Sequence, residues 1–280
     1  SNTSAPLTPT DIAFIRQSGR GSQEGQRAKL VGEIIMYVQR LGNILRAMAY
    51  DASTDRYKSY DVTKFADEIL SEGGGFLHSA YSPEPSNILY YVTNNGNVAH
   101  LTYEPEEKVI AWANLVLGGT AVVKSVAVIP STTGNYYDVY FLVQRIIDGV
   151  VKQYIEKKSP QFEDRNYWLY LDCALAYHDD TIAIDTATGL EHLEGQTVSV
   201  VVNGVFLKTA VVVNGEVSLG ADYNHVIVGL PYELTIKLLD YETEIQNVGS
   251  SYGKMKRTLN VSLQLDNTLD VKVGTSLTKL

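Results

Sequence analysis

Between Gly75 and Gly119, turn-forming residues recur about once every ten positions, and the segments between them are short and rich in aromatic and β-branched residues. Ser82-Pro83-Glu84-Pro85-Ser86, Asn94-Asn95-Gly96-Asn97 and Glu104 to Lys108 are the turns. They separate four predicted strands: Phe76 to Tyr81, Ile88 to Thr93, Val98 to Tyr103 and Val109 to Asn114. A chain that reverses this often has no room for long helices, and each strand pairs with the next as an antiparallel meander. That layout fits one blade of a propeller-like sheet. A second meander follows, with strands over Val122 to Ile129, Tyr137 to Ile147 and Val150 to Lys157, turning at Ser131 to Asn135 and at Asp148-Gly149. The two segments differ in sequence and repeat the layout, as blades do.

Upstream, residues 1–10 hold two prolines and no pattern, which predicts a flexible lead-in. Ser1 and Asn2 read as an expression remnant, and the chain reads as a fragment of something longer. Asp11 to Gln17 is a short strand candidate and Gly19 to Gln26 a polar loop. Leu30 to Tyr37 and Asn43 to Tyr50 are apolar runs about a hairpin turn at Gln39 to Asn43. A helix over Gly32 to Ala49 competes with that hairpin, and Gly42-Asn43 disfavours it. The best helix is Val62 to Glu72. Asp61 is its N-cap, Val62, Phe65, Ala66, Ile69 and Leu70 form one face, and Gly73-Gly74-Gly75 ends it.

A charged stretch from Lys157 to Arg165, containing Pro160, predicts a domain boundary. Beyond it Trp168 to Tyr177 reads as a strand, and a short apolar piece lies at Thr181 to Ile184. Val198 to Val202, Val205 to Val213, Glu216 to Leu219, His225 to Val228 and Leu234 to Leu239 then suit a small antiparallel barrel, with turns at Asn203-Gly204 and Asn214-Gly215. Tyr241 to Ser251 reads as a loop, Lys254 to Leu265 as a long alternating strand, and Asp270 to Gly274 as one more. The predicted fold class is mainly β: incomplete β-propeller blades, formed as antiparallel meanders with one helix, plus a small antiparallel β-barrel insert. The predicted divisions are a lead-in over 1–10, a propeller-like domain over 11–160, a barrel module over 161–245, and C-terminal strands over 246–280 that return to the first domain or form a subunit interface.

The chemistry-bearing residues do not assemble into a recognisable catalytic motif. No phosphate-binding loop, dinucleotide fingerprint, nucleophile elbow or zinc-protease motif is present. The net charge of −9, with no basic run, disfavours a surface that grips nucleic acid, but leaves open a channel through which DNA slides unheld. The single cysteine, Cys173, excludes an intrachain disulfide, and its flanking Leu171 and Leu175 suit a small apolar residue better than a nucleophile. His178, Asp179, Asp180 and Asp185 are a cation-site candidate whose spacing does not match a calcium loop, and turns favour Asp in any case. His78 and His100 can face each other within one blade, while His192 and His225 read as structural. Tyr90, Tyr91, Tyr136 and Tyr137 are candidates for stacking on sugars, against the plainer expectation of cross-strand packing. No catalytic, cofactor-binding or metal residue is assigned, and the chain reads as a non-enzyme without cofactors.

Three segments resemble the tail nozzle, or tail tubular, proteins of short-tailed bacteriophages and prophages. The first runs from Phe14 to Leu70: Gln17 to Ser22, Tyr37-Val38-Gln39-Arg40, Gly42, Arg46, Tyr50, Asp55, Tyr57 and Asp61-Val62-Thr63. The second holds Ala80-Tyr81, Pro85 to Leu89, Asn95-Gly96, Leu101-Thr102-Tyr103, Ala111-Trp112, Val126 to Ile129 and Arg145. The third and most specific holds Tyr170-Leu171-Asp172, Gly189-Leu190-Glu191-His192-Leu193-Glu194-Gly195, Asn203-Gly204 and Val228 to Tyr232. The chain departs from the pattern at Glu68 and Ala113, where the family often carries histidine. The resemblance implies a virion structural protein of the tail, made in the bacterial host cytoplasm. It also implies a ring-shaped homo-oligomer, typically hexameric, that contacts other tail proteins and encloses a channel for transient DNA passage. The alternative is a carbohydrate-binding or glycoside-cleaving propeller, for which a repeated Asp or Glu at matching blade positions is expected and not seen.

Overall fold

The computed structural model describes residues 16–132, 134–159, 169–236, 238, 244–245, 249–251, 253, 260–265 and 271–274. The lead-in and most of the strand expected over Asp11 to Gln17 lie outside them. The chain divides into two compact units, Ser1–Pro160 and Gln161–Leu280. Antiparallel sheets dominate both, with one short α-helix among the described residues.

The first unit is a series of sequential meanders. Strands β1 (Lys29–Val31), β2 (Ile34–Val38), β3 (Leu45–Asp51) and β4 (Arg56–Asp61) pair in chain order as one sheet. The apolar run expected over Leu30 to Tyr37 is therefore two strands. Gly32, at φ +58, makes a turn so tight that Val31 pairs with Ile34. Strand β4 falls in a polar stretch that pattern alone did not mark. Tyr60 on its inner face reaches across to Tyr103, their hydroxyls 2.5 Å apart.

Helix α1 spans Asp67–Gly73, shorter than the expected Val62 to Glu72. Asp61 still closes a turn, because its Oδ1 accepts from the Thr63 amide at 2.8 Å and the Thr63 hydroxyl at 2.6 Å. The Val62 amide, however, donates to the Leu45 carbonyl at 3.1 Å, which holds this residue to the sheet and delays the helix. Val62, Ala66 and Ile69 are buried as expected, while Phe65 points into solvent at 95% exposure.

Strands β5 (Phe76–Ser82), β6 (Ile88–Thr93), β7 (Val98–Glu104) and β8 (Val109–Leu115) form the second sheet, again in chain order and within two residues of the expected bounds. At its tightest turn Gly96 takes φ +88, and a Cβ there would sit 2.6 Å from Val122 Cγ1, so both the conformation and the space require glycine. Strands β9 (Val122–Pro130), β10 (Tyr137–Ile147) and β11 (Val150–Lys157) form the third sheet, in the order β11-β10-β9.

The second sheet is buried on both faces, and this stacks the unit. Leu89, Tyr91, Leu101 and Tyr103 pack with Met36, Val38, Leu45 and Ala47 of the first sheet. On the opposite face Tyr90, Val92 and Val98 pack with Val123, Val126, Val139, Phe141 and Val143 of the third. Each Val, Leu, Phe or Met side chain among these contributes about 1.5–3 kcal/mol on burial. Phe76, Tyr91 and Trp112 cluster at one end of the first interface, and the Trp112 indole N–H donates to the Val62 carbonyl at 2.9 Å.

In the second unit β12 (Asp172–His178), β17 (His225–Leu230), β14 (Thr197–Val202) and β15 (Val205–Val211) form one sheet in that order. Strands β13 (Ile184–Ala187) and β16 (Val217–Tyr223) form a two-stranded sheet. One core joins them, including Ala187, Leu190, Leu193, Val198, Val200, Val217, Leu219, Val226 and Val228. A short 3-10 turn, Glu191–Leu193, carries the buried Leu193 into it.

Several expectations for this unit need correction. The strand expected from Trp168 begins at Asp172 among the described residues, and the apolar piece near Ile184 is a paired strand. Among the described residues Leu234 to Leu239 does not close the module: residues 231–236 form no strand, and Leu234 and Ile236 are exposed. The loop expected over Tyr241 to Ser251 contains the short pair β18 (Glu244–Ile245) and β19 (Gly249–Ser250). The described parts of the C-terminal strands, 260–265 and 271–274, are not strands, and Val261, Leu263, Leu265, Val271 and Val273 are exposed. Alternation makes a segment competent to pair, but a strand also needs a partner edge, and these segments have none among the described residues.

Candidate functional site

The residues singled out for chemistry are mostly occupied by structure. His78 and His100 share a face of the second sheet, but β6 runs between them: His78 pairs with Val92 and His100 with Tyr90. Next-but-one strands lie about 10 Å apart, so the two imidazoles make no common pocket. His78 Nδ1 lies 3.4 Å from both the Ser125 hydroxyl and the Val126 amide. Burial, and for His78 the neighbouring Lys29, lowers the basicity of both histidines; Lys158 adds to the effect at His100.

Tyr90 and Tyr91 are not sugar platforms. They are buried on opposite faces of β6, and burial pushes the Tyr90 hydroxyl up to about 12 and Tyr91 higher still. Tyr136 and Tyr137 are half-buried.

Cys173 stands at an irregularity in β12 with φ +50, and its partly buried side chain packs against the core of the second unit. His192 Nε2 donates to the Cys173 carbonyl at 3.1 Å, a contact with the backbone and not with the thiol.

The expected acidic cluster separates into two jobs. Asp179 Oδ1 accepts from the Thr181 amide at 2.8 Å, the Thr181 hydroxyl at 2.8 Å and the Ile182 amide at 2.9 Å. Those bonds, led by the Thr181 amide, lower its pKa and make Asp179 a turn former. Asp180 turns away to His225, with 3.1 Å between Oδ1 and Nε2. No group of three or more His, Cys, Asp or Glu among the described residues is arranged to hold a metal ion. Likewise no helix among them is long and apolar enough to cross a membrane.

What the fold leaves exposed is a sheet face. Along β10, Val139, Phe141 and Val143 point into the stack, so Tyr140, Leu142 and Ile146 point outward. Cross-strand pairing sets Leu142 beside Ile155 and Ile146 beside Val151. The outer face thus presents Ile146 (46% exposed) beside Val151 (58%), with Ile155 (76%) beyond the intervening Gln144–Gln153 pair. Lys157 borders it, bonded to Asp138 at 2.8 Å and lying over the Tyr140 ring. At the other end of the stack the outer face of the first sheet carries Leu30, Met48 and the edge-to-face pair Tyr50–Tyr57, with ring centroids 5.5 Å apart. Exposed apolar side chains on the two terminal faces make these faces candidates for an interaction surface.

The sequence contained a signal for this. Tyr137 to Ile147 is apolar at both parities over most of its length, as is Ile88 to Thr93, and strands covered on both faces read that way. In Ile88 to Thr93 both faces are covered within the unit; in Tyr137 to Ile147, among the described residues, one face packs in the core and the other is half-buried or exposed over most of its length.

No family model matches the chain, and no curated protein matches it.

Proposed function

We propose that the chain is a virion structural protein of a bacteriophage tail, forming part of the nozzle ring that encloses the DNA exit channel. In this proposal the three stacked sheets of the first unit are incomplete propeller blades, and the sheets of the second unit form a small barrel. The observation that supports it most is the stack itself. Sequential meanders pack face to face, and both terminal faces of the series carry exposed apolar side chains suited to further packing. The resemblance of three segments to tail nozzle proteins supplies the biological context, and Arg145, Leu190 and Leu193 of those segments are fully buried. The acidic balance of −9 suits a passage that repels DNA phosphates and lets them slide. Such a protein acts by shape and assembly, as a homo-oligomer, with no turnover.

A glycan-binding or glycoside-cleaving propeller has less behind it, because the tyrosines proposed to stack on sugars at positions 90 and 91 are buried. The test is mass spectrometry of purified virions beside a glycosidase panel on the purified protein. A tail protein is detected in the particle and cleaves nothing. Sugar cleavage by a protein absent from particles overturns the proposal.

A further inference from the structure

His178 and His225 face each other across the pair β12–β17, directly opposite in register, with ring centroids 5.5 Å apart. Their Nδ1 atoms are 3.3 Å apart. Two nitrogen ligands about 2.0–2.1 Å from a tetrahedral ion stand about 3.3–3.4 Å from each other, so this is the spacing of one edge of such a coordination shell. The pairing has an orienting partner as well. Asp180 Oδ1 lies 3.1 Å from His225 Nε2 and accepts its N–H. That fixes the tautomer with the proton on Nε2 and leaves the His225 Nδ1 lone pair aimed at His178, as carboxylates do for metal-bound imidazoles.

The backbone around the pair is held on three sides. The Asp179 amide donates to the Asn224 carbonyl at 3.0 Å, and the Asn224 side-chain amide donates to the Asp179 carbonyl at 2.9 Å. The Asn203 amide donates to the His225 carbonyl at 2.8 Å. The Asp179 turn, closed on Thr181 and Ile182, sets Asp180 in place at the Nε2 edge of the His225 ring. The two imidazoles are therefore presented by rigid strand ends. His225 retains 12% side-chain exposure, which leaves a route for solvent and for an ion.

We propose that His178 and His225 form a two-histidine clamp for a divalent late transition-metal ion, with Zn2+ as the probe. The ion binds both Nδ1 atoms and takes water for its remaining positions. Imidazole donors favour zinc, copper and nickel over calcium and magnesium. On binding, the proton between the two Nδ1 atoms passes through solvent to His178 Nε2, so both imidazoles bind as neutral ligands, and Asp180 goes on accepting from His225 Nε2–H. The ion fastens the end of β12 to β17.

The experiment is calorimetric titration of ZnCl2 into the untagged chain in a non-chelating buffer. One ion binds per chain. Binding is lost in H178A and in H225A, and is about 10-fold weaker in D180N, the effect expected for removing an orienting partner. The wild-type chain supplies a second readout that needs no variant. In 15N-resolved imidazole spectra, one equivalent of Zn2+ shifts the Nδ1 resonances of two of the five histidines. Absence of one-equivalent binding overturns the proposal. So does binding that survives both alanine substitutions, or shifts at histidines other than 178 and 225.

Discussion

Arg145 offers the sharpest test of how the third sheet is held. Its side chain is fully buried. Nε donates to Glu156 Oε1 at 2.6 Å, Nη2 to Oε2 at 2.9 Å, and Nη1 to the Gly118 carbonyl at 2.6 Å. This is a two-pronged guanidinium–carboxylate pair joining β10 to β11, capped by a backbone oxygen. Replacing Arg145 with Met keeps most of the volume and removes the charge, which strands the Glu156 carboxylate and the Gly118 carbonyl. Breaking a buried pair in this way costs about 3–5 kcal/mol. Glu156 keeps 15% side-chain exposure, so water recovers part of its solvation and the low end, about 3 kcal/mol, applies. With a urea slope of about 2 kcal/mol per molar, the midpoint of the first unit falls by about 1.5 M. Trp112 fluorescence reports that transition, since its ring lies against Phe76 and Tyr91. The double variant R145M/E156L removes both charges and recovers most of the loss, because apolar replacement of a buried pair is near neutral. A loss under about 1 kcal/mol in R145M, or a double variant as unstable as the single one, refutes the proposed role of the pair.

Other outcomes follow from the same structure. Replacing Gly96 with Ala combines φ +88 with a Cβ 2.6 Å from Val122 and lowers the melting temperature more than replacing Gly32, where a Cβ meets nothing within 4 Å; differential scanning calorimetry ranks the two. Trp112→Phe removes the bond to Val62 and costs about 1 kcal/mol, or about 2–4 °C in thermal melts followed by circular dichroism. Tyr90, Tyr91 and Tyr103 have raised pKa values, mainly from burial, whereas the unfolded chain ionises them near ~10. Their contribution to stability is complete below that pH and is lost as pH rises toward their folded values, so alkaline unfolding and late phenolate absorbance rise together. On the proposed ring assembly, substituting Ile146 and Val151 by Asp leaves the fold intact, because these side chains are exposed in the isolated chain, and weakens the association that sedimentation velocity reads.

The meanders were legible because local turns fix them. Asn94-Asn95-Gly96-Asn97 and Asp148-Gly149 mark reversals, and the strands beside them fall almost where pattern placed them. The stacking of the sheets was only half legible. Ile88 to Thr93 is apolar at both parities, but which sheet covers which face depends on packing far along the chain. Helix α1 starts late because of one hydrogen bond, from Val62 to Leu45, that no local rule contains. The alternation of the C-terminal stretch misled for the converse reason: pairing competence is local, and a partner edge is not. The His178–His225 pair was invisible because β12 pairs with β17, which brings together residues 47 positions apart in sequence.

The central claim is that the protein works by assembling into a tail channel, and imaging the purified protein tests it most directly. Electron-microscopic class averages are expected to show closed rings, six-fold in symmetry, around a central opening wide enough for duplex DNA. Particles that remain single copies at every concentration, with no ring in the micrographs, contradict it.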